Sequence, residues 1–328
     1  MRTALVIVCL LAALALQSCF KKDAQLTAHP RGDTIAMTEN YLYQLYFNLD
    51  AGKVISSNVK TASDLGFECS AQGWHIILNT SDFMKVADLG QVTFGQAHDT
   101  VGVNWKFDKS DGNPDSVAIG RWFRLSGSDT VSSKHVFVVN RGMDELGNTL
   151  GLYQLIVDSL KNGTFYFRYC PLKGGAGQAA AVTRDPRVNY MWFSLKTGTV
   201  EHFEPPVTNY DLLFTQYTTM LYDGTIPYPY LVTGVLTNRS GMEVALDSLD
   251  AFPAVTRDIA TKLTYSKNLD AIGYNWKYYS FKTGAYTLRT KNCYLIRTVA
   301  GVIYKLHFIG FYNLKGEKGY PVIEYERL

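Results

Sequence analysis

The sequence lacks the motifs by which many enzymes are recognised. It has no Gly-Xaa-Ser-Xaa-Gly nucleophile motif, no histidine-rich zinc motif and no phosphate-binding glycine loop. The glycine-rich residues 174–177 do not connect a strand pattern to a helix pattern, and acidic pairs such as Glu201 with Glu204 are typical of solvated hairpins. We therefore expect that the protein is not an enzyme.

Charge of one sign and cysteine are also scarce. A formal net charge of +3 over 328 residues gives no indication of electrostatic capture of nucleic acid. Beyond the first twenty residues the cysteines are Cys69, Cys170 and Cys293, without the short spacings of a disulfide framework or a zinc site. We expect these thiols to be buried as small apolar side chains, with one long-range disulfide as the alternative.

The one long apolar run lies at the start of the chain. Arg2 precedes an apolar run over residues 4–16, followed by Gln17, Ser18 and Cys19. This order is typical of a secretory signal peptide, and the run is too short to span a bilayer comfortably. Residues 16–19 resemble the lipobox of bacterial lipoproteins, so we predict a signal peptide over 1–18, lipidation of Cys19 and a tether over 19–35. An ordinary cleaved signal with an incidental cysteine is the alternative.

Aromatic residues are abundant, with 22 tyrosines and 17 phenylalanines, and they favour strands. Apolar and polar residues alternate over short stretches such as 304–308, as in half-buried strands, and turn residues follow at short intervals. Helical periodicity is weak, and residues 248–263 are the best candidate for a short helix. The pattern predicts an all-β fold.

Six short segments recur in the same order along the chain. The pairs are 46–54 with 192–200, 64–67 with 211–214, 102–107 with 273–278, 136–139 with 293–296, 153–157 with 304–308, and 166–169 with 322–325. Six matches in one order indicate an internal duplication. We predict two tandem modules over 36–170 and 188–328, joined by a flexible linker over 171–187 that is rich in glycine and alanine.

The second module resembles the HmuY-like family of haem-binding outer-membrane lipoproteins. The resemblance is carried by the segments Trp-Phe-Ser-Leu-Lys-Thr-Gly at 192–198 and Gly-Tyr-Asn-Trp-Lys at 273–277, together with residues 210–217, 230–238, 294–297, 304–308 and 316–325. The first module is similar to a more divergent copy. The resemblance implies a surface-exposed, lipid-anchored protein of the outer membrane that passes haem, or a related hydrophobic or planar ligand, to a TonB-dependent receptor.

The resemblance also implies histidine or methionine ligands to the haem iron in the loops beside Trp276. Residues 279–284 after Trp276 and residues 108–111 after Trp105 contain neither residue type. A haem site needs an axial donor and an apolar slot. The candidate donors that remain are Met242, Met220, His98, His75 and Met84.

Tyrosines around two prolines are candidates for a flat binding platform. Tyr217, Tyr228 and Tyr230 have aromatic faces that suit a porphyrin or a sugar ring. Each candidate also has a structural interpretation, because methionine fills cores, loop histidines are often solvated and tyrosines pack on their own sheets. The alternative function is a surface lipoprotein that binds no cofactor and takes part in adhesion, protein interaction or glycan binding.

Overall fold

The computed structural model describes residues 31–126 and 129–328. The predicted signal peptide, Cys19 and the first part of the predicted tether lie outside these residues. The described chain consists mainly of antiparallel strands, which confirms the all-β prediction. No helix in the described ranges is long and apolar enough to cross a membrane.

The strands number twenty-two in the described part of the chain. The first twelve are β1 (Arg31–Thr34), β2 (Tyr43–Asn48), β3 (Lys53–Val59), β4 (Leu65–Glu68), β5 (Ile76–Leu78), β6 (Lys85–Asp88), β7 (Phe123–Ser126), β8 (Asp129–Ser132), β9 (Phe137–Asn140), β10 (Leu152–Lys161), β11 (Thr164–Pro171) and β12 (Gln178–Thr183). The other ten are β13 (Tyr190–Ser194), β14 (Thr199–Glu201), β15 (Leu212–Asp223), β16 (Ile226–Thr237), β17 (Glu243–Asp247), β18 (Lys277–Ser280), β19 (Ala285–Leu288), β20 (Cys293–Arg297), β21 (Ile303–Tyr312) and β22 (Lys318–Arg327).

Over residues 31–126 and 129–328, helical structure is limited to short pieces. The α-helix α1 (Arg257–Lys262) lies within the stretch that the sequence marks as the best helix candidate. It begins after Thr256, whose hydroxyl accepts a hydrogen bond from the Ile259 backbone N–H, as an N-cap does. The 3₁₀ helices are Lys60–Ala62, Thr80–Asp82, Pro114–Ser116 and Phe252–Ala254.

The strands form two matching sets of sheets. The five-stranded sheets have the orders β12-β11-β10-β9-β6 and β1-β22-β21-β20-β17, and the four-stranded sheets have the orders β14-β13-β4-β5 and β16-β15-β2-β3. The hairpins β7–β8 and β18–β19 complete the two sets. We call the set that contains β4–β14 the first half and the set that contains β1–β3 and β15–β22 the second half.

The two predicted modules exchange their opening hairpins. The β2–β3 hairpin from the start of the chain pairs with β15, with Phe47 opposite Leu212. The β13–β14 hairpin, which follows the predicted linker, pairs with β4, with Phe193 opposite Leu65. At the sheet edges, β1 pairs with β22 and β12 pairs with the preceding strand β11. The first half is therefore one continuous stretch of chain, β4–β14, whereas the second half combines β1–β3 with β15–β22.

The hydrophobic cores follow this exchange and not the predicted module boundaries. Met191, Phe193 and Leu195 pack with residues 65–182, whereas Leu45 and Phe47 pack with residues 212–325. The tandem duplication itself stays a prediction. Two boundaries differ from expectation, because residues 31–34 of the tether and 178–183 of the linker are strands. An alanine-rich segment can still serve as an edge strand, since the pairing uses backbone groups.

Five of the six sequence matches agree with the strand pairing, and one does not. Trp105 and Trp276 are aligned by sequence, yet they occupy different environments. Trp276 precedes the β18–β19 hairpin and its carbonyl accepts from the Arg289 N–H, whereas Trp122 precedes the β7–β8 hairpin and its carbonyl accepts from the Ser133 N–H. Both tryptophans are fully buried. Trp122, not Trp105, is therefore the structural counterpart of Trp276.

Cys69, Cys170 and Cys293 are free thiols and all three are buried. This confirms that they act as small apolar side chains. Burial raises the pKa of each thiol, and for Cys293 the value reaches about 12. These thiols therefore stay protonated and unreactive at neutral pH.

The strand pairing predicts that core residues of the β13–β14 hairpin contribute strongly to the free energy of unfolding. Replacement of Phe193, which contacts the aromatic rings of Phe167 and Tyr169, should destabilise the protein by about 3–5 kcal/mol, because it removes a core ring from the first half. Urea unfolding of Phe193→Ala measures this. Phe281→Ala is the control, since Phe281 is 93% exposed, and it should change stability by less than about 0.5 kcal/mol. An unchanged stability of Phe193→Ala would contradict the described packing.

Candidate ligand-binding groove

An open groove lies where the two halves meet. One wall is the loop over residues 105–118 of the first half, and the other is the outer part of β15 in the second half. The groove has a volume of about 670 Å³, within the range of small-molecule sites. Its lining includes Trp105, Phe107, Ser110, Val117, Thr218, Met220 and Tyr222.

Hydrogen bonds between the halves fix the base of the groove. The Ser110 hydroxyl donates to Asp270 Oδ2 at 2.5 Å and lies 3.0 Å from the Thr219 hydroxyl. The Thr218 hydroxyl donates to the backbone carbonyl of Thr80 at 2.9 Å. The Ser110 contacts hold the 105–118 loop against the second half, and the Thr218 contact joins β15 to the Thr80–Asp82 segment of the first half.

Asp108 stabilises the loop from inside. Its two carboxylate oxygens accept from the backbone N–H groups of Leu78 and Ala118, each at 2.7 Å. Burial raises the pKa of Asp108 to about 6, although the two N–H donors act in the opposite direction. Asp108 is therefore an anchor of the loop that contacts the groove, and its oxygens are already engaged.

The groove offers an aromatic surface, a thioether and charged groups. Trp105 is half-buried, with the Lys85 ammonium 4.9 Å from the centre of its ring. Met220 is 38% exposed on the facing strand. The exposed Lys106 and Lys109 line the same groove. Asp111, Asp115 and Asp270 also line it, so the groove is mixed in charge.

Among the five donors that the sequence nominates, Met220 is the one that lines this groove. Met84 and Met242 are at most 2% exposed and belong to the cores of the first and second halves. The ring of His98 is half-buried and its Nε2 lies 2.9 Å from the Thr93 carbonyl. No cluster of three or more metal-binding side chains occurs within the ranges that the structure describes.

His75 occupies a closed environment in the first half. Its Nδ1 lies 2.5 Å from Glu68 Oε2, and its ring stacks on Trp74 with 3.9 Å between ring centres. Its Nε2 is buried and has no partner among the described residues. His75 is therefore positioned by its neighbours and does not line the groove of Met220.

The candidate tyrosines do not form one site with Met220. Residues alternate between the two faces of a strand, and cross-strand partners share a face. Met220 lies opposite Pro229, whereas Tyr228 and Tyr230 lie opposite Leu221 and Thr219. Tyr228 therefore lies on the other face of the β15–β16 hairpin, and neither Tyr228 nor Tyr230 lines the groove. Tyr217 is 1% exposed and is a core residue.

Tyr228 and Tyr230 belong to a second, separate surface. We call it the tyrosine surface, and its members are Tyr228, Tyr230, Tyr274, Tyr279, Phe281 and Tyr286. The Tyr279 ring lies 5.3 Å from the rings of both Phe281 and Tyr286. Burial raises the pKa of Tyr274, and the nearby Tyr228 raises it further. Burial also raises the pKa of Tyr286, and the nearby Tyr230 raises it further. The surface thus joins the β15–β16 and β18–β19 hairpins.

Lys277, beside this surface, is not singled out by the sequence. Its ammonium donates to the Thr233 carbonyl at 2.5 Å and lies 4.1 Å, 4.8 Å and 5.5 Å from the ring centres of Trp276, Phe311 and Tyr286. Burial lowers the pKa of Lys277 to about 7. A lysine that alternates with aromatic residues looks solvated in sequence, so its burial is visible only in the structure.

The fold and the groove describe an all-β protein whose two halves enclose a potential ligand site. The family model described as HmuY protein matches residues 40–325. The chain therefore belongs to the HmuY family. The match extends across both predicted modules and the segment between them, so it is not confined to the second module.

Two solved structures show weaker similarity. One is apo PinO from Porphyromonas gingivitis, with 10% identity, a TM-score of 0.30, and coverage of 92% of this chain and 98% of that chain. Another is the apo HmuY analog TFO from Tannerella forsythia, with 13% identity, a TM-score of 0.27, and coverage of 93% and 98%. No curated protein matches the chain significantly. The assignment to the family rests on the family model.

The buried lysine predicts a specific dependence of stability on pH. The pKa of Lys277 is about 7 in the folded protein and 10.5 for a free lysine, so the unfolded chain binds more protons between these values. Stability should therefore rise with pH across this window. From pH 7 to pH 9 the wild type should gain about 2 kcal/mol relative to Lys277→Met.

Urea unfolding of both proteins at the two pH values measures this difference. Lys282→Met is the matched control, because Lys282 is exposed on the adjacent turn, and it should follow the wild type. Equal pH dependence of the wild type and Lys277→Met would rule out a buried lysine of lowered pKa.

Proposed function

We propose that this protein binds haem, or a related planar hydrophobic ligand, in the groove between its two halves. Membership of the HmuY family supports the choice of ligand. The observation that carries the choice of site is Met220, because it is exposed and lines a groove large enough for such a ligand. A thioether is an established axial donor for haem iron.

The groove residues fit the parts of a haem. Trp105 and Phe107 provide aromatic faces for a planar ring system, and Met220 provides a donor to iron. Lys106 and Lys109 would attract the carboxylates of the ligand. Asp111, Asp115 and Asp270 would repel them. We therefore expect the carboxylate edge of the ligand to lie on the side of the two lysines.

The same proposal includes attachment to the outer membrane and transfer to a TonB-dependent receptor. The signal-like start of the sequence with Cys19 supports lipid attachment. The side chain of Arg31, the first described residue, donates to the Asp50 carbonyl at 2.9 Å. Asp50 adjoins Leu49, whose N–H donates to Asp211 at the start of β15. Met220 lies nine residues after Asp211, or roughly 30 Å away along an extended strand. The groove is thus far from the anchored end and accessible to a receptor.

A haem titration tests the proposal. The wild type should shift the Soret band of added haem, and Met220→Ala should weaken binding by at least about tenfold, since the loss of an axial bond costs more than about 1.4 kcal/mol. Met220→His should restore a strong spectrum, because histidine is also an axial donor.

Tyr228→Ala is the control for this titration. It alters the opposite face of the same hairpin and should leave haem binding unchanged. A wild type without any Soret shift, with ferric and with ferrous haem, would refute the proposed ligand. A Met220→Ala variant that binds as tightly as the wild type would refute the proposed site.

The second candidate function is glycan binding without a cofactor, and the tyrosine surface favours it. Tyr228, Tyr230 and Tyr279 are 38%, 52% and 45% exposed, and Phe281 is 93% exposed. Flat aromatic faces with hydroxyl tips suit sugar rings. On a glycan array the wild type should then bind at least one glycan, and the double variant Tyr228→Ala, Tyr230→Ala should lose it. Met220→Ala should retain it, and retention by the double variant would refute this candidate.

A further inference from the structure

Two buried aspartates occupy matching positions in the two halves. Asp64 Oδ2 accepts from the Leu195 backbone N–H at 2.6 Å, and Asp211 Oδ2 accepts from the Leu49 backbone N–H at 2.7 Å. The backbone N–H of Asp64 donates to Phe193, and that of Asp211 donates to Phe47. Asp64 thus joins the β13–β14 hairpin to the start of β4, and Asp211 joins the β2–β3 hairpin to the start of β15.

In the first half an arginine completes this arrangement. Arg141 Nε donates to Asp64 Oδ1 at 2.6 Å, and its Nη1 donates to the Leu150 carbonyl at 2.9 Å. The guanidinium carbon of Arg141 lies 5.7 Å from the centre of the Tyr153 ring. A carboxylate, a carbonyl and an aromatic face therefore hold one buried guanidinium group.

The second half has the carboxylate and the aromatic residue but not the arginine. Strand pairing aligns Tyr304 with Tyr153, because Tyr304 lies opposite Ile296 as Tyr153 lies opposite Val139. Thr298 directly follows β20, as Arg141 directly follows β9. The Thr298 backbone N–H donates to the Val302 carbonyl, just as the Arg141 backbone N–H donates to the Gly151 carbonyl. Thr298 therefore occupies the position of Arg141.

The position of the missing guanidinium group is an open pocket. Its volume is about 610 Å³, and Asp211, Thr298, Tyr304, Asp50 and Arg327 are among the lining residues. Asp211 is only 9% exposed, and among the described residues its hydrogen bond is made by Oδ2 alone. Oδ1, the oxygen that corresponds to the arginine-bound oxygen of Asp64, is left for a ligand.

Arg327 does not fill this role. Its Nη1 lies 3.9 Å from Asp50 Oδ1, and its side chain is 59% exposed at the rim of the pocket. The Tyr304 hydroxyl also contacts Asp50, at 3.0 Å. Arg327 therefore pairs with Asp50 at the rim, and among the described residues no hydrogen bond or ion pair joins it to Asp211.

From this comparison within one chain, we propose that the pocket binds the guanidinium group of an arginine, with Asp211 as the carboxylate partner and Tyr304 as the aromatic face. We call it the guanidinium pocket. The planar fork of a guanidinium matches a carboxylate and stacks on a ring, whereas a lysine ammonium does neither as well. The apolar Val299 and Val302, which also line the pocket, suit the methylene groups of an arginine side chain.

Calorimetric titration of the full chain tests the proposal. Arginine amide should bind saturably, lysine amide should bind at least tenfold more weakly, and citrulline amide, which is neutral and of the same shape, should not bind. Absence of arginine amide binding, or equal binding of citrulline amide, would overturn the proposal.

Two variants locate the binding site. Thr298→Arg should supply the guanidinium group from within the chain, raise the melting temperature and weaken arginine amide binding at least tenfold. Asp211→Asn should weaken binding similarly while it keeps an acceptor for the Leu49 N–H. Thr287→Arg adds the same charge on exposed β19 and should bind arginine amide as the wild type does. Unchanged binding by both Thr298→Arg and Asp211→Asn would overturn the proposal.

The source of the guanidinium group is tested with a peptide. Tighter binding of Gly-Arg-Gly than of arginine amide would indicate an arginine from a protein partner, and equal binding would indicate a small free ligand. Both results support the pocket. The proposal is independent of haem binding, because Met220 and the guanidinium pocket lie at different ends of β15, and Met220→Ala should leave arginine amide binding unchanged.

Discussion

The whole structure depends on a reciprocal pairing in which the opening hairpin of each predicted module pairs with a strand of the other module. Asp64 and Asp211 hold these junctions, because each buried carboxylate accepts a backbone N–H from the exchanged hairpin. Hydrogen bonds to charged groups contribute about 1.5–3 kcal/mol each, so the two contacts are strong local constraints. Without the exchange, each core would lose aromatic residues such as Phe47 or Phe193. Each core therefore contains residues of both predicted modules.

The groove lies between the two halves. The 105–118 loop belongs to the first half and β15 to the second, and the Ser110 hydroxyl joins the loop to Thr219 and Asp270 of the second half. Asp108 and Ser110 fix the loop, since Asp108 accepts from Leu78 of the first half and Ser110 contacts Thr219 of the second half. Hydrogen bonds that order a loop without a ligand lower the conformational cost of binding in general.

The sequence predicts the strand content but not the strand partners. Alternation and turn residues identify strands locally. The structure confirms the predicted all-β fold and the predicted burial of the three cysteines. Pairing depends on contacts between residues far apart in the chain, and a similar sequence in two copies can pair within a copy or between copies. The same limit explains Trp105, whose neighbours resemble those of Trp276, although Trp122 has the equivalent hydrogen bond.

The sequence likewise predicts single residues of the candidate site but not which residues the fold brings together. Met220 can be nominated from the sequence, because methionine is a possible haem ligand, but Trp105 and Lys109 join it only through the fold. Tyr217 and Met242 look equally suitable in sequence, yet both are buried in the second half. Burial of Lys277 and the open position beside Asp211 have no local signature. They appear only when the two halves are compared in three dimensions.

The location of iron in the haem-loaded protein decides whether haem binds in the groove. Crystals grown with haem and measured at the iron absorption edge would show the metal as an anomalous peak. The account predicts one peak in the groove, at bonding distance from Met220 Sδ. A peak beside the tyrosine surface, or haem-loaded crystals with no peak in the groove, would contradict it.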